Sequence, residues 1–150
     1  TGTIEVPEIN YHDMTNIGGF SLEEKYNEIR GLDLSTKSLK KEVPLIALDD
    51  YYCDRPPSLI KIDVEGFELP VLVGATNFLA KHKFPPFFFE VWSNEWFKDE
   101  ASDLFSYIFK LGYEITKFGI DDYLAQHPDN PIGIRFATNE QGIITMEKYK

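Results

Sequence analysis

Polar and apolar residues alternate most sharply in "SLIKIDVEG" at 58–66, where Ile60, Ile62 and Val64 are interleaved with Lys61, Asp63 and Glu65. A period of two predicts a β-strand over 58–64, and Glu65-Gly66 predicts the turn that ends it. From Glu68 to Lys83 the interval changes. Leu69, Leu72, Val73, Thr76 and Leu79 recur at helical spacing, and Lys81, His82 and Lys83 fall in the last turn, where cations suit the helix dipole. "FPPFFFEVW" follows as a near-continuous apolar run, the pattern of a strand covered on both faces. A second helix is predicted over "DEASDLFSYIFKLG", with Leu104, Tyr107, Ile108 and Leu111 on one side and Gly112 as its stop.

The flanks are less regular. "TIEVPEI" reads as a short strand and "NYHDMTNIGGFS" as a loop, while "LEEKYNEIRG" has only a weak helical period. "VPLIALDDYY" predicts a strand running into a short helix capped by Asp49-Asp50, which "CDRPP" ends. "YEITKFG" and "GIRFATN" supply two more strands. Strand, helix, strand, helix, strand predicts an α/β sheet with right-handed crossovers. Ligands of such sheets bind beyond the carboxyl ends of the strands, so Asp63–Glu65 and Glu90–Trp92 are expected side by side at one rim.

Composition narrows the partners. With 15 basic and 25 acidic residues the net charge is -10, which disfavours nucleic acid and anionic membrane surfaces. The densest basic stretch, "KSLKK", is followed at once by Glu42. No run approaches the roughly 20 apolar residues of a membrane span. "TGTIEVPEIN" has neither a basic nor an apolar leader region and no initiator Met, so the chain reads as processed or cut. Cys53 is the only cysteine, which rules out an intrachain disulfide and fits a reducing compartment; a cytoplasmic location is expected. Its acidic neighbours disfavour a thiolate, so a structural role is expected for it.

The stretch from Val43 to Trp92 resembles the FkbM-type S-adenosylmethionine-dependent methyltransferases. The resemblance rests on Leu48-Asp49-Asp50, on Ile60 to Gly66, and on Glu68, Val71-Leu72, Gly74-Ala75 and Glu90 at the family's spacing. "NIGGFSL" is similar to an upstream loop of many members. The resemblance implies a class I methyltransferase-like, Rossmann-like sheet with flanking helices, S-adenosylmethionine as cofactor, and a sugar, glycan or related hydroxyl acceptor. It is incomplete, because neither the glycine-rich cofactor loop after a first strand nor the ribose-holding acid after a second is present. Residues 1–150 therefore read as the C-terminal portion of one such domain, missing its first strands. Alone, it is expected to bind cofactor weakly or not at all. The truncated sheet would expose the edge of the 58–64 strand and allow a homodimer there.

Methyl transfer to a hydroxyl needs an aligned oxygen relieved of its proton. The resemblance implies that Asp63 and Glu65 face the cofactor and substrate. Either could be the base, with His12 as an alternative. A strand buried on both sides would desolvate Asp63, while Lys61 on the same face would offset this by pairing with it. Asn16, Lys61, Glu90 and Trp92 are candidate substrate ligands. Each has a structural rival: strand-end acids capping a helix for Asp63 and Glu65, an ion pair for Glu90, core or rim packing for Trp92 and Trp96, and turn roles for His12, Asn16 and Ser21. No ligand set demands a metal. A non-catalytic binding or assembly module and a metal-dependent hydrolase are the competing functions.

Overall fold

The structure is a computed structural model and describes residues 1–7, 19–32, 40–138, 141 and 144–149. Strand β1 (Gly2–Pro7) pairs antiparallel with β2 (Lys40–Leu45), from Gly2 opposite Leu45 to Pro7 opposite Lys40. Between them lies the short helix α1 (Glu24–Ile29). A 3₁₀ turn at Leu48–Asp50 precedes β3 (Ile60–Ile62), α2 (Glu68–Val73), α3 (Thr76–Lys81) and β4 (Phe87–Glu90). Then come α4 (Lys98–Lys110), β5 (Glu114–Lys117) and β6 (Asp122–Gln126). A last antiparallel pair joins β7 (Ile134–Thr138) to β8 (Ile144–Lys148).

The main sheet has the order β3-β4-β6-β5. It is a mixed sheet with helices, and only β3 and β4 are parallel. Sequence periodicity missed β6, which follows β5 through a tight turn and so must run antiparallel to it. β6 rather than β5 lies against β4 because it carries the more buried centre, Leu124 and Ala125 at 1% and 0% exposure. The other two strand pairs form separate sheets rather than extending this one.

Alternation along β4 explains its run of phenylalanines. Phe87 and Phe89 point into a core with Leu72, Leu79, Leu104 and Ile108 from the three helices. Phe88, on the opposite face, meets Phe118 at 5.2 Å and Phe136 of β7 at 6.1 Å between ring centroids. Both faces are covered, as the apolar run requires. Burying each such ring or Leu contributes about 1.5–3 kcal/mol.

The single helix expected over 68–83 is two helices with a break at Gly74-Ala75. Asp49 holds the break. Its N–H donates to the Gly74 carbonyl at 2.8 Å, and its Oδ1 accepts the Phe78 N–H in the first turn of α3 at 2.7 Å. Asp49 thus caps a helix 29 residues away instead of its own 3₁₀ turn, which has no side-chain cap. Hydrophobic spacing cannot reveal this, because the two short helices keep nearly one register.

β3 is an edge strand of the main sheet. It is three residues long and its central residue is the exposed Lys61, two features by which edges resist pairing with another chain.

Candidate functional site at the carboxyl rim of β3 and β4

The turn that leaves β3 is built around two left-handed residues, Glu65 (φ 51°) and Gly66 (φ 96°). Glycine is required at 66. A Cβ there would lie 2.9 Å from the Tyr26 ring and 3.3 Å from Trp92. Glu68, 3% exposed, secures the turn from within: its Oε1 accepts the N–H groups of Val64 at 3.4 Å and Gly66 at 3.3 Å. Burial pushes the Glu68 carboxyl above its ordinary range, and those N–H groups oppose the shift.

Around this turn the carboxylates find unequal partners. Lys61 Nζ lies 2.6 Å from Asp63 Oδ2, as expected for residues two apart on one strand face. Glu65 accepts a hydrogen bond from Arg30 Nη1 at 2.8 Å, and the Arg30 guanidinium lies 4.7 Å over the Trp92 ring. Glu90 stands directly opposite Asp122 in the β4–β6 register. Burial pushes the Glu90 carboxyl up, and Asp63, Glu65, Asp122 and Asp121 push it further in the same direction. Placing like charges opposite each other across strands destabilises a sheet, so stability alone does not account for this row.

Asp63, Glu65, Glu90 and Trp92, four of the residues singled out by sequence, converge on one narrow crevice with Gly66, Glu68 and Phe97. The crevice is too tight to admit a water molecule. Lys61 sits beside it, tied to Asp63. The expected desolvation of Asp63 does not hold: its side chain is 40% exposed and β3 is buried on one side only. Trp92, at 9% exposure, is packed by Tyr26, Trp96 and Phe97 and forms the wall of the crevice. Ser21 is buried and its backbone N–H donates to Asn27 Oδ1. His12 and Asn16 lie outside the described residues. Among the described residues no group of three or more His, Cys, Asp or Glu is arranged to hold a metal ion.

Three site residues escaped sequence reasoning in that role. Arg30 reaches Glu65 across 35 residues, and nothing local to either signals the pair. Asp122 belongs to the unpredicted strand β6. Glu68 had a usable signal: an acid three residues after Glu65, at the start of a helix, is placed to accept N–H groups from the preceding turn.

No helix among the described residues is long and apolar enough to cross a membrane. Compared with known proteins, the chain matches the family model of the methyltransferase FkbM domain over residues 8–115, from before α1 to the start of β5. No curated protein and no solved structure matches it.

Proposed function

The chain belongs to the FkbM methyltransferase family, and on that premise we propose that it serves an S-adenosylmethionine-dependent O-methyltransferase acting on a hydroxyl of a sugar, glycan or related natural product. The observation that carries this reading is the convergence of Asp63, Glu65 and Glu90 from two parallel strands at one rim, with Glu90 pushed up by its acidic neighbours. Such a surplus of negative charge suits a cation, and the sulfonium of the cofactor is one. The nucleoside part has no counterpart here. Neither a glycine-rich cofactor loop nor a ribose-holding acid in the family's pattern occurs in the 150 residues. We therefore read them as the C-terminal portion of the domain, whose sheet is completed at the edge of β3. The antiparallel strand β6 lies between β4 and β5; mixed sheets are common among large doubly wound folds, and this one is compatible with a Rossmann-like whole.

When bound, the cofactor supplies an electrophilic methyl group. In this reading Asp63 and Glu65 hold it and Glu90 accepts the proton that the acceptor hydroxyl releases. A carboxylate with a raised pKa is the better base. Trp92 and Phe97 form the apolar wall behind Glu65 and Glu90, while Asp63 stays open to solvent. Glu68 and Arg30 set the position of Glu65. The small-molecule or glycan acceptor is the only partner this requires, and the reading carries a cytoplasmic location.

The reading is tested by incubating the protein from its full open reading frame with S-adenosylmethionine and glycan acceptors. The expected product is a methyl ether on a sugar oxygen, seen by mass spectrometry. Methylation only at nitrogen or carbon would remove the O-methyl assignment.

A further inference from the structure

Glu65 and Trp92, two walls of the crevice, hold a cation between them, and it belongs to the chain itself. The Arg30 guanidinium donates to Glu65 Oε2 at 2.8 Å and lies 4.7 Å from the centre of the Trp92 ring. A carboxylate set against an aromatic face is the pairing that recognises organic cations, whose diffuse charge needs few hydrogen bonds. A small metal ion needs several oxygen ligands instead, and among the described residues no group of three or more His, Cys, Asp or Glu is so arranged.

The backbone around Arg30 is held by other residues. Tyr26 anchors α1: it is 4% exposed, meets Trp92 and Phe97 edge-on, and its hydroxyl donates to Glu100 at 3.2 Å. Asn27 adds a reciprocal pair of bonds to the Ser21 backbone, at 2.7 and 2.6 Å. At Glu65 the turn is fixed by Glu68 through the N–H groups of Val64 and Gly66. Arg30 itself is the C-cap of α1, just before the left-handed Gly31, and its side chain keeps 26% exposure. That side chain can therefore turn out to solvent while Tyr26 keeps α1 in place.

We propose that Glu65 and Trp92 form a seat for an onium cation, a sulfonium or quaternary ammonium, and that Arg30 fills it as an internal stand-in which the ligand displaces; the sulfonium case rests on the methyltransferase reading above. Exchange of one cation for another keeps Glu65 compensated at a rim where Lys61 is committed to Asp63. The exchange also distinguishes charged from neutral ligands. A sulfonium needs Arg30 turned out, and a neutral thioether does not.

The test uses the protein from its full open reading frame, with Arg30→Ala and, in parallel, Arg30→Gln, which keeps a donor for Glu65 so that the outcome does not depend on the shorter variant folding. Trimethylsulfonium chloride is the probe in thermal melts, against sodium chloride at the same ionic strength. It should raise the midpoint of the variants by about 2 °C more than sodium does, by filling the seat, and leave the wild type unmoved. Calorimetry then compares sinefungin, whose ammonium stands in the place of the sulfonium, with S-adenosylhomocysteine. Both variants should gain roughly fivefold in affinity for sinefungin relative to S-adenosylhomocysteine. No probe-specific shift in either variant, or a sinefungin preference that stays level or falls, overturns the seat. A probe-specific shift with neither nucleoside bound by any form would leave the seat standing and remove the methyltransferase reading instead.

Discussion

Glu90 and Asp122 face each other as Cα partners on adjacent antiparallel strands, two carboxylates where a sheet would gain from a pair of opposite charges. Lys61 interacts with both carboxylates but is committed to Asp63 at 2.6 Å. Burial first, and then repulsion by Asp63, Glu65, Asp122 and Asp121, raises the Glu90 pKa in the fold. Below about pH 4 Glu90 is protonated in both states and costs nothing. As pH rises towards its raised folded value, the unfolded chain ionises first and binds fewer protons, so the fold loses stability over that window. Glu90→Gln should therefore stabilise the protein at pH 7 by roughly 0.5 kcal/mol. Thermal melts at pH 7 and pH 3.5 check this, and the gain should vanish at the lower pH. In the assay for methyl transfer the same variant should lose activity at least a hundredfold, about the contribution of a general base.

Arg30 links α1 to the site by its bond to Glu65 and its contact with Trp92. Both ends of the ion pair are mostly buried, at 26% and 18% side-chain exposure, so removing one leaves the other uncompensated among acids. Arg30→Ala should cost about 1–2 kcal/mol in urea unfolding. Arg30→Lys should recover less than half of it, because an ammonium lacks the planar face that lies on the indole.

Glu68 is a positioning residue, its carboxylate hydrogen-bonded to the backbone of the turn. Glu68→Ala strips two part-buried N–H groups of their acceptor and should cost about 2 kcal/mol. Glu68→Gln keeps an acceptor oxygen of the same reach and should cost about 1 kcal/mol. Equal losses in the two variants would mean that Glu68 acts through its charge and not through the turn.

Two glycines in the same motif should behave oppositely. Gly66→Ala forces a side chain into a left-handed residue against the Tyr26 ring and should destabilise by about 2–3 kcal/mol. At Gly74 the backbone is ordinary and a Cβ would meet Ala47 at 3.4 Å, an unstrained contact. Gly74→Ala should be neutral or stabilising by up to about 1 kcal/mol, read from the same denaturation curves.

The contrast between these residues shows what was legible in the chain. Period-two alternation and an apolar run locate β3 and β4, and the rule that ligands sit beyond carboxyl strand ends groups Asp63, Glu65 and Glu90 from the residue pattern alone. β6 was hidden because "DYLAQ" buries only Leu124 and Ala125 deeply and opens with an acid that serves the rim. With β6 unseen, the sheet reads as parallel and Asp122 is lost. Asp49 and Arg30 act across 29 and 35 residues, and pairings of that length have no local signature. The break at Gly74 stays hidden for the same reason, since its anchor is Asp49.

The central claim is that this rim serves S-adenosylmethionine-dependent transfer, and calorimetric titration of S-adenosylhomocysteine tests it most directly. It should be run on the 150-residue chain and on the protein from its full open reading frame. The account predicts saturable binding to the latter, weakened by Glu65→Gln, and little or none to the 150 residues alone. No binding to either would contradict it and favour a non-catalytic module on the same fold.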